Sequence, residues 1–335
     1  MATLHDINRR INSVQSTKQI TRTMEMISAA KIRKARQRVE KTIPYTAGMA
    51  ETVTEVIDRL GSSENPLLKV HDEVKHVLVV AVVSDRGLAG GFNGNVLRAA
   101  ERVIKQKAAQ GATSDVIACG KKAISYFKYR NIEPIMTFTD LSADPTMGEA
   151  IQLGNYAMER YADGTYDEVI LVYNHARNAG DQVLRAEYLL PVKRVVFVDA
   201  SKAVPNWLAP MSAFVSMVDL HSIQETLATG SMQDSDEGEG ESEAEKEIKP
   251  EIIFEPDTDS VLWTLLPAYM RTMFYATLID SAAGEQGARR NAMKAATDNA
   301  NEIETNLSRL YNRVRQGTIT TELNEIVGGA AALED

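Results

Sequence analysis

Cysteine is almost absent from this sequence, because Cys119 is the only one among 335 residues. A single thiol excludes an internal disulfide framework and fits a chain kept in a reducing compartment. Cys119 ends an apolar segment, which predicts a buried and inert thiol and not a nucleophile. Catalysis through a cysteine is therefore not expected.

Long apolar runs are missing as well. The longest, VLVVAVV at residues 77–83, is far shorter than the roughly 20 residues that a helix needs to cross a bilayer. The first residues, MATLHDINRRINSV, carry charges where a secretory signal needs its apolar stretch, so we expect a cytosolic chain. The composition, with 44% hydrophobic and 25% charged residues, is typical of a soluble globular protein.

Proline is missing from both ends, because Pro44 is the first in the chain and Pro267 is the last. On both sides of Pro44, apolar residues recur at steps of three and four. This spacing predicts one helix over about residues 3–59, with a kink or break at the proline, and we assign 1–60 to this segment. The apolar stripe of its first half is expected at Leu4, Ile7, Ile11, Val14, Ile20, Met24 and Ile27, and then at Ile32, Ala35 and Val39.

The C-terminal segment, 258–335, is predicted to form a second long helix. Its part from 281 to 303 is poor in large apolar residues, so another helix can approach it closely. Beyond that part the apolar spacing is typical of a coiled coil. The positions expected to pack against another helix are Ile303, Leu307, Leu310, Val314, Ile319, Leu323 and Ile326.

Between these helices, residues 70–228 alternate strand-like and helix-like segments. Apolar β-branched runs such as KHVLVVAVVSD (75–85) and DEVILVYNHA (167–176) are separated by amphipathic stretches. The segments QVLRAEYLLPV and KRVVFVD are expected to complete the sheet. The predicted fold class is therefore α/β, with a central Rossmann-like domain and long helical extensions at both ends.

Charge is distributed unevenly around the net value of −9. Residues 1–43 have a balance of about +7, and residues 232–249 have a balance of about −6. The acidic stretch has almost nothing to bury, so we predict a disordered linker over 229–252. The basic helix could bind an acidic protein partner or a nucleic acid, and charge alone leaves both open.

The sequence lacks the spacing of the common nucleotide-binding and metal-binding motifs. The Gly-rich segment SDRGLAGGFNGN (84–95) matches neither the dinucleotide-binding nor the P-loop spacing, so a structural turn is favoured over a nucleotide site. A free α/β nucleotide-binding enzyme with helical appendages is kept as the alternative function. The five histidines lack metal-binding spacing, and neither a metal nor a cofactor is expected.

Four segments together resemble the gamma subunit family of F-type ATP synthases. They are INSVQSTKQITRTMEMISAAKIRKA (11–35), SDRGLAGGFN (84–93), AMKAATDNA (292–300) and YNRVRQGTITTELNEIVGGAAAL (311–333). They occur in the family's order and span nearly the whole chain. The resemblance implies that the terminal helices form an antiparallel coiled coil inside a ring of alpha and beta subunits. It also implies that the α/β domain forms a foot, together with an epsilon subunit, on a membrane ring of c subunits.

The family further implies a central-stalk rotor that couples rotation of the proton-driven c-ring to ATP synthesis or hydrolysis in beta. Such a subunit is not itself an enzyme, binds no nucleic acid and is not a homo-oligomer. It is a peripheral membrane protein on the cytoplasmic face of the cell membrane. Carried over by position, contacts with beta are expected at Met24, Arg33, Arg36, Arg289, Gln316, Thr320 and Glu322, and contacts with the c-ring at Phe254 and Glu255.

Overall fold

The computed structural model describes residues 3–59, 64–71, 73–141, 144–192, 255 and 257–334. The strand-like segment KRVVFVD, the acidic stretch 229–252 and Phe254 lie outside the described residues.

A five-stranded sheet forms the centre of the α/β domain, with its strands in the order β3-β2-β1-β4-β5. The first four strands are mutually parallel, and β5 runs antiparallel to β4. This mixed sheet between helices confirms the predicted fold class. The strands are β1 (His76–Val82), β2 (Thr113–Cys119), β3 (Met136–Phe138), β4 (Glu168–His175) and β5 (Val183–Leu190).

Both faces of the sheet are covered, which explains why its central strands are apolar without interruption. Helices α2 (Phe92–Ala109) and α3 (Lys121–Tyr129) pack on the face that carries Val77 and Val79. Helix α4 (Met147–Ala162) packs on the opposite face, which carries Leu78 and Val80. The two apolar sets alternate along β1, as the pleat of a strand requires.

Two long helices complete the fold: α1 (Leu4–Arg59) and α5 (Thr258–Glu334). At 1.5 Å per residue they are about 84 and about 115 Å long. Helix α1 does not end at Pro44, because this proline lies on an exposed side where water can solvate the carbonyl that loses its hydrogen bond. Short η1 (Pro66–Leu68) leads from α1 toward β1.

The end of α1 and the first turns of α5 are anchored on the α4 side of the sheet. Val53 and Val56 of α1 are almost fully buried in the same cluster as Leu262, Leu266 and Phe274 of α5. Burying an apolar side chain of this size contributes roughly 1.5–3 kcal/mol. The α/β domain therefore holds both long helices at one end, and their other ends extend away from it.

Candidate partner-binding surface

Away from the sheet, α1 and α5 lie side by side in opposite directions. The Thr297 hydroxyl donates a hydrogen bond to Oγ1 of Thr21 at 2.8 Å. Nearer the start of α1, Gln15 Nε2 and Lys18 Nζ contact the Glu304 carboxylate at 2.8 and 2.9 Å. These two contacts hold the pKa of the Glu304 carboxyl below its ordinary value. Residue numbers fall along one helix as they rise along the other, so the pair is antiparallel.

The buried face of α1 repeats every seven residues, as in a coiled coil. Much of this face is small and polar where α1 meets the second half of α5. Thr21 and Ser28 are buried, and so are Thr297 and Ala300 on α5. Small side chains let the two helix backbones approach closely. The two rows of buried α1 residues are Ile7, Thr21 and Ser28, and Ile32, Val39, Thr46 and Val53.

The apolar stripe predicted from the sequence is only partly correct. Ile7, Ile32 and Val39 are buried as expected, and Leu307 and Val314 are half-buried. The prediction is wrong for seven residues, because the three- and four-residue steps followed the largest apolar side chains and not the face that packs. Three of the seven, Ile319 (47% exposed), Leu323 (56%) and Ile326 (69%), lie near the end of α5. The other four, which also point outward, are Ile20 (59% exposed), Ile27 (51%), Ile303 (49%) and Leu310 (40%).

The exposed surface of α1 carries apolar and positively charged side chains on different sides of the helix, because Ile27 and Arg33 are about 120° apart around its axis. Ile20 and Ile27 are exposed one heptad apart, and Met24 between them is half-buried. Arg33 is exposed, and Arg36 is half-buried with its guanidinium 3.9 Å from the Glu40 carboxylate. The structure thus places Met24, Arg33 and Arg36 along one helix, where a partner that covers the coiled coil would meet them.

Helix α5 continues well past the start of α1. Fourteen residues, about four turns, separate Thr21 from Ile7 on α1, and the same step along α5 leads from Thr297 to Tyr311. Helix α1 begins close to this level, at Leu4. Every residue of α5 from Arg315 to Val327 is exposed. We call residues 315–334 the overhang. It carries the predicted contacts Gln316, Thr320 and Glu322, together with the exposed apolar residues Ile319, Leu323, Ile326 and Val327.

Arg289 lies in a different environment from the other predicted contacts. Its side chain is buried, and its guanidinium donates to the Glu285 carboxylate at 2.5 Å and to the Gly87 carbonyl at 3.3 Å. Arg289 therefore joins α5 to the Gly-rich segment after β1. A contact between Arg289 and a beta subunit would have to replace these bonds or add to them. The sequence motif alone does not show that Arg289 is already bonded within the chain.

The Gly-rich segment 84–95 packs against the chain's own α5. Ala89 and Phe92 form a small apolar cluster with Ala288, and Gly90 faces Ala292. In open α/β sheets, ligands bind at the carboxyl ends of the strands where the strand order reverses, which here is between β1 and β4. Helix α5 fills that position, because a Cβ atom on Gly284 would lie 3.3 Å from the Asn174 carbonyl. This packing argues against the nucleotide-binding alternative.

The remaining chemical groups considered in the sequence are structural. Cys119 is fully buried, as predicted, and burial together with the Asp85 charge raises the pKa of its thiol to about 12, which disfavours the reactive thiolate. Within the described residues, no group of three or more His, Cys, Asp or Glu side chains could hold a metal ion. Glu255, a predicted c-ring contact, is exposed.

Comparison with known proteins identifies the family. A family model described as ATP synthase matches residues 3–333 of this chain. The ATP synthase gamma chain of Leptospira biflexa serovar Patoc is 36% identical over 333 residues, which cover 99% of this chain and 100% of that protein. The chain belongs to the ATP synthase gamma chain family. Another family member, from Chlorobium phaeobacteroides, is 34% identical over 337 residues and covers 100% of this chain and 99% of its own length.

Solved structures of distant relatives share the fold. A chain of the Euglena gracilis mitochondrial ATP synthase (OSCP/F1/c-ring) superposes with a TM-score of 0.58 at 18% identity, covering 98% of this chain and 94% of that chain. A chain of the Tetrahymena thermophila mitochondrial ATP synthase central stalk/c-ring gives a TM-score of 0.52 at 20% identity, covering 83% and 99%. These chains and the present one therefore share the fold.

None of the helices in the described ranges combines the length and the apolar character that crossing a bilayer requires. The individual contact residues for beta and for the c-ring stay predictions, since the structure contains this chain alone.

Proposed function

We propose that this chain is the central-stalk rotor subunit of a proton-translocating F-type ATP synthase. It couples rotation of the membrane c-ring to ATP synthesis or hydrolysis at the catalytic sites of the beta subunits. It is not catalytic itself. Family membership supports this proposal, and the exposed overhang and the antiparallel helix pair agree with it.

The single observation that carries the proposal is that α5 extends beyond the start of α1 and is exposed there. A helix with four exposed large apolar residues, Ile319, Leu323, Ile326 and Val327, is marginal in water, because isolated helices derive little stability from propensity alone. Exposed apolar surface of this kind marks an interaction site. A ring of alpha and beta subunits that surrounds the helix pair would bury these side chains.

We assign the contacts with beta to two levels of the rod. Met24, Arg33 and Arg36 lie along α1, where positive charge suits an acidic loop on beta. Gln316, Thr320 and Glu322 lie on the overhang. Arg289 is the weakest member of this set, because its guanidinium is already bonded within the chain.

The α/β domain is proposed to rest on the c-ring together with an epsilon subunit. Exposed Glu255 lies just before α5 begins and is our candidate c-ring contact, with Phe254 as its neighbour in the sequence. In this position the subunit is peripheral to the membrane, on the cytoplasmic face of the cell membrane. It reaches the membrane through the complex and not through a span of its own.

Rotation then acts through asymmetry. One rod cannot contact three identical beta subunits in the same way, so each beta is biased toward a different conformation and a different nucleotide affinity. Turning the rod exchanges these biases among the three subunits. The coupling free energy is the difference between the contacts that each beta conformation makes with the rod.

The proposal is tested by assembly with the alpha and beta subunits, using single introduced cysteines. Native Cys119 is buried with a raised thiol pKa, so an Ile27→Cys variant carries the one readily reactive thiol. We expect a maleimide to label Ile27→Cys rapidly in the free chain and slowly in an ATP-hydrolysing complex, because the ring covers this face. The readout is the labelled fraction over time by mass spectrometry.

Ile32→Cys is the matched control, because Ile32 is only 6% exposed on the same helix and should label slowly in both states. If Ile27→Cys labels equally fast in the free chain and in the complex, this face of α1 is not enclosed. If alpha and beta assemble into the same coupled ATPase without the chain, the rotor assignment fails.

A further inference from the structure

A positively charged cavity lies between α1 and α5, beside the segment that leads into α4. Its volume is about 130 Å³. The cavity is separate from the outward stripe of Ile20 and Ile27 and from the overhang. It is lined by Lys31, Lys34, Ala35 and Arg38 of α1, by Ile279, Ala282 and Gln286 of α5, and by Asp144 and Pro145.

The helical repeat brings the cations together. Lys31, Lys34 and Arg38 are spaced by three and four residues, so they share one face of α1. Small Ala35 lies between them, and small Ala282 faces the cavity from α5. The two alanines leave the space that the cationic side chains surround.

The positive charge in the cavity is only partly neutralised. Arg38 forms an ion pair with Asp144 and donates to the Pro145 carbonyl at 3.4 Å. The hydrogen bond from Arg38 holds the pKa of the Asp144 carboxyl below its ordinary value. Neither Lys31 nor Lys34 has an ion-pair partner in the part of the chain that the structure describes. The Lys34 charge also helps to lower the pKa of Asp144. Because three cations share this one carboxylate around the cavity, a net positive charge remains to attract an anion.

Gln286 is a second feature of the cavity that favours a bound ligand, because it brings a polar side chain to the cavity wall. Its side chain is only 7% exposed, lines the cavity and has no hydrogen-bond partner among the described residues. The amide atoms are not fully enclosed by protein, so a ligand in the cavity can reach them. Its NH₂ group can donate two hydrogen bonds to a bound anion, close to the lysine ammonium groups.

We propose that this cavity binds a small tetrahedral oxyanion of the inorganic phosphate class. Lys31 and Lys34 supply the charge, and the Gln286 amide supplies a fixed donor from the buried side. Ammonium groups suit phosphate because they act as compact point charges with several donors. The volume of about 130 Å³ is large enough to admit a phosphate.

The same volume argues against a whole nucleotide. Pockets for ligands of that size span about 300–1,000 Å³ and are usually lined by aromatic rings, and the residues that line this cavity include none. Only a phosphate group of a nucleotide could enter the cavity, and the rest of the nucleotide would stay outside. The proposal does not depend on the rotor function, because it concerns a site on the chain itself.

The test is calorimetric titration of the full-length chain with inorganic phosphate at physiological ionic strength, where diffuse attraction between exposed charges is screened. We expect saturable one-to-one binding. In Lys31→Met/Lys34→Met and in Gln286→Leu, the Kd should rise by about tenfold or more. Lys41→Met is the matched control, because it removes one exposed positive charge from the same helix away from the cavity.

Unchanged thermal melting of each variant shows that it has folded, and a ³¹P line-width measurement gives a second readout. Parallel titrations with ADP and with sulfate distinguish the source of the anion. If ADP binds with the same dependence on Lys31, Lys34 and Gln286, the site still recognises a phosphate group. The proposal is overturned if phosphate does not bind, if Lys41→Met weakens binding as much as the double variant, or if only an acidic peptide binds.

Discussion

At the scale of single residues, Asp167 shows how one side chain can join two strands. Its carboxylate accepts hydrogen bonds from the backbone N–H groups of Lys75 (2.7 Å) and His76 (2.9 Å), and it lies 2.6 Å from the His71 ring. These contacts connect the start of β1 to the start of β4. Burial opposes ionisation of Asp167, but the two backbone donors together with the His71 ring outweigh it and lower the pKa of the carboxyl.

Asp167→Asn should lower the free energy of unfolding at pH 7 by about 1–3 kcal/mol, because charge-assisted hydrogen bonds are lost. A carboxyl whose pKa is lowered by folding stabilises the protein above its unfolded pKa of about 3.9, and this contribution disappears as the pH falls through the folded pKa. The difference between variant and parent should therefore shrink in acid. Urea unfolding measured at several pH values checks this.

Exposed Asp298 on α5 provides the control for Asp167, and Asp298→Asn should leave the stability within about 0.5 kcal/mol of the parent at each pH. A stability loss in Asp167→Asn that stays constant down to the acid limit would show that the ionised carboxylate is not the stabilising form.

At the scale of elements, the close approach of α5 to the α/β domain depends on small residues. A Cβ atom on Gly287 would lie 2.9 Å from Nε2 of Gln182 and 3.0 Å from the Ala179 carbonyl oxygen. Helix α5 thus packs on the connection between β4 and β5 without space for a methyl group. Composition predicted that another helix can approach residues 281–303, and α1 does so at Thr297. At Gly287 the segment that comes close is instead the connection between β4 and β5, which the composition did not predict.

Gly287→Ala should destabilise the chain, because overpacking costs about 1–3 kcal/mol and exceeds the gain in helix propensity of about 1 kcal/mol. Gly317→Ala, on the same helix, is the control: nothing lies within 4 Å of its added methyl group. It should leave stability unchanged or raise it slightly. Guanidinium unfolding of both variants gives the comparison, and equal effects would contradict the packing argument.

At the scale of the whole molecule, α5 extends beyond the segments of this chain that pack against it. The overhang buries no side chain between Arg315 and Val327, so it contributes nothing to the packed core of the free chain. Its contribution to stability must come from a partner. The two ends of α5 therefore differ. Its first turns are packed against the α/β domain, and its last turns are exposed to solvent and accessible to a partner.

Removal of residues 316–335 should leave the thermal melting of the free chain unchanged, because all of residues 316–327 are exposed. In a complex with alpha and beta, the same truncation should weaken assembly or uncouple ATP hydrolysis from rotation. Circular dichroism of the free chain and ATPase assays of the complex measure the two effects. A truncated chain that melts earlier would show that the overhang folds back onto this chain.

Much of the fold could be predicted because the signals were local. The apolar β-branched run of β1 and the lack of proline before Pro44 and after Pro267 identified the sheet and both long helices. The side chains that face the neighbouring helix could not be predicted in the same way. Thr21 and Ser28 are poor hydrophobic signals, yet they are buried, whereas Ile20 and Ile27 are strong signals and are exposed.

The sequence by itself determined which segments are helix and strand, the charge of α1 and the family, because these properties depend on neighbouring residues and on long specific motifs. Only the tertiary structure decided which side chains are free to meet a partner. In the structure Arg289 is buried, α5 occupies the crevice beside the Gly-rich segment, and Gln286 lines a cavity. The reason is that burial depends on contacts between residues up to about 290 positions apart, which no local pattern records.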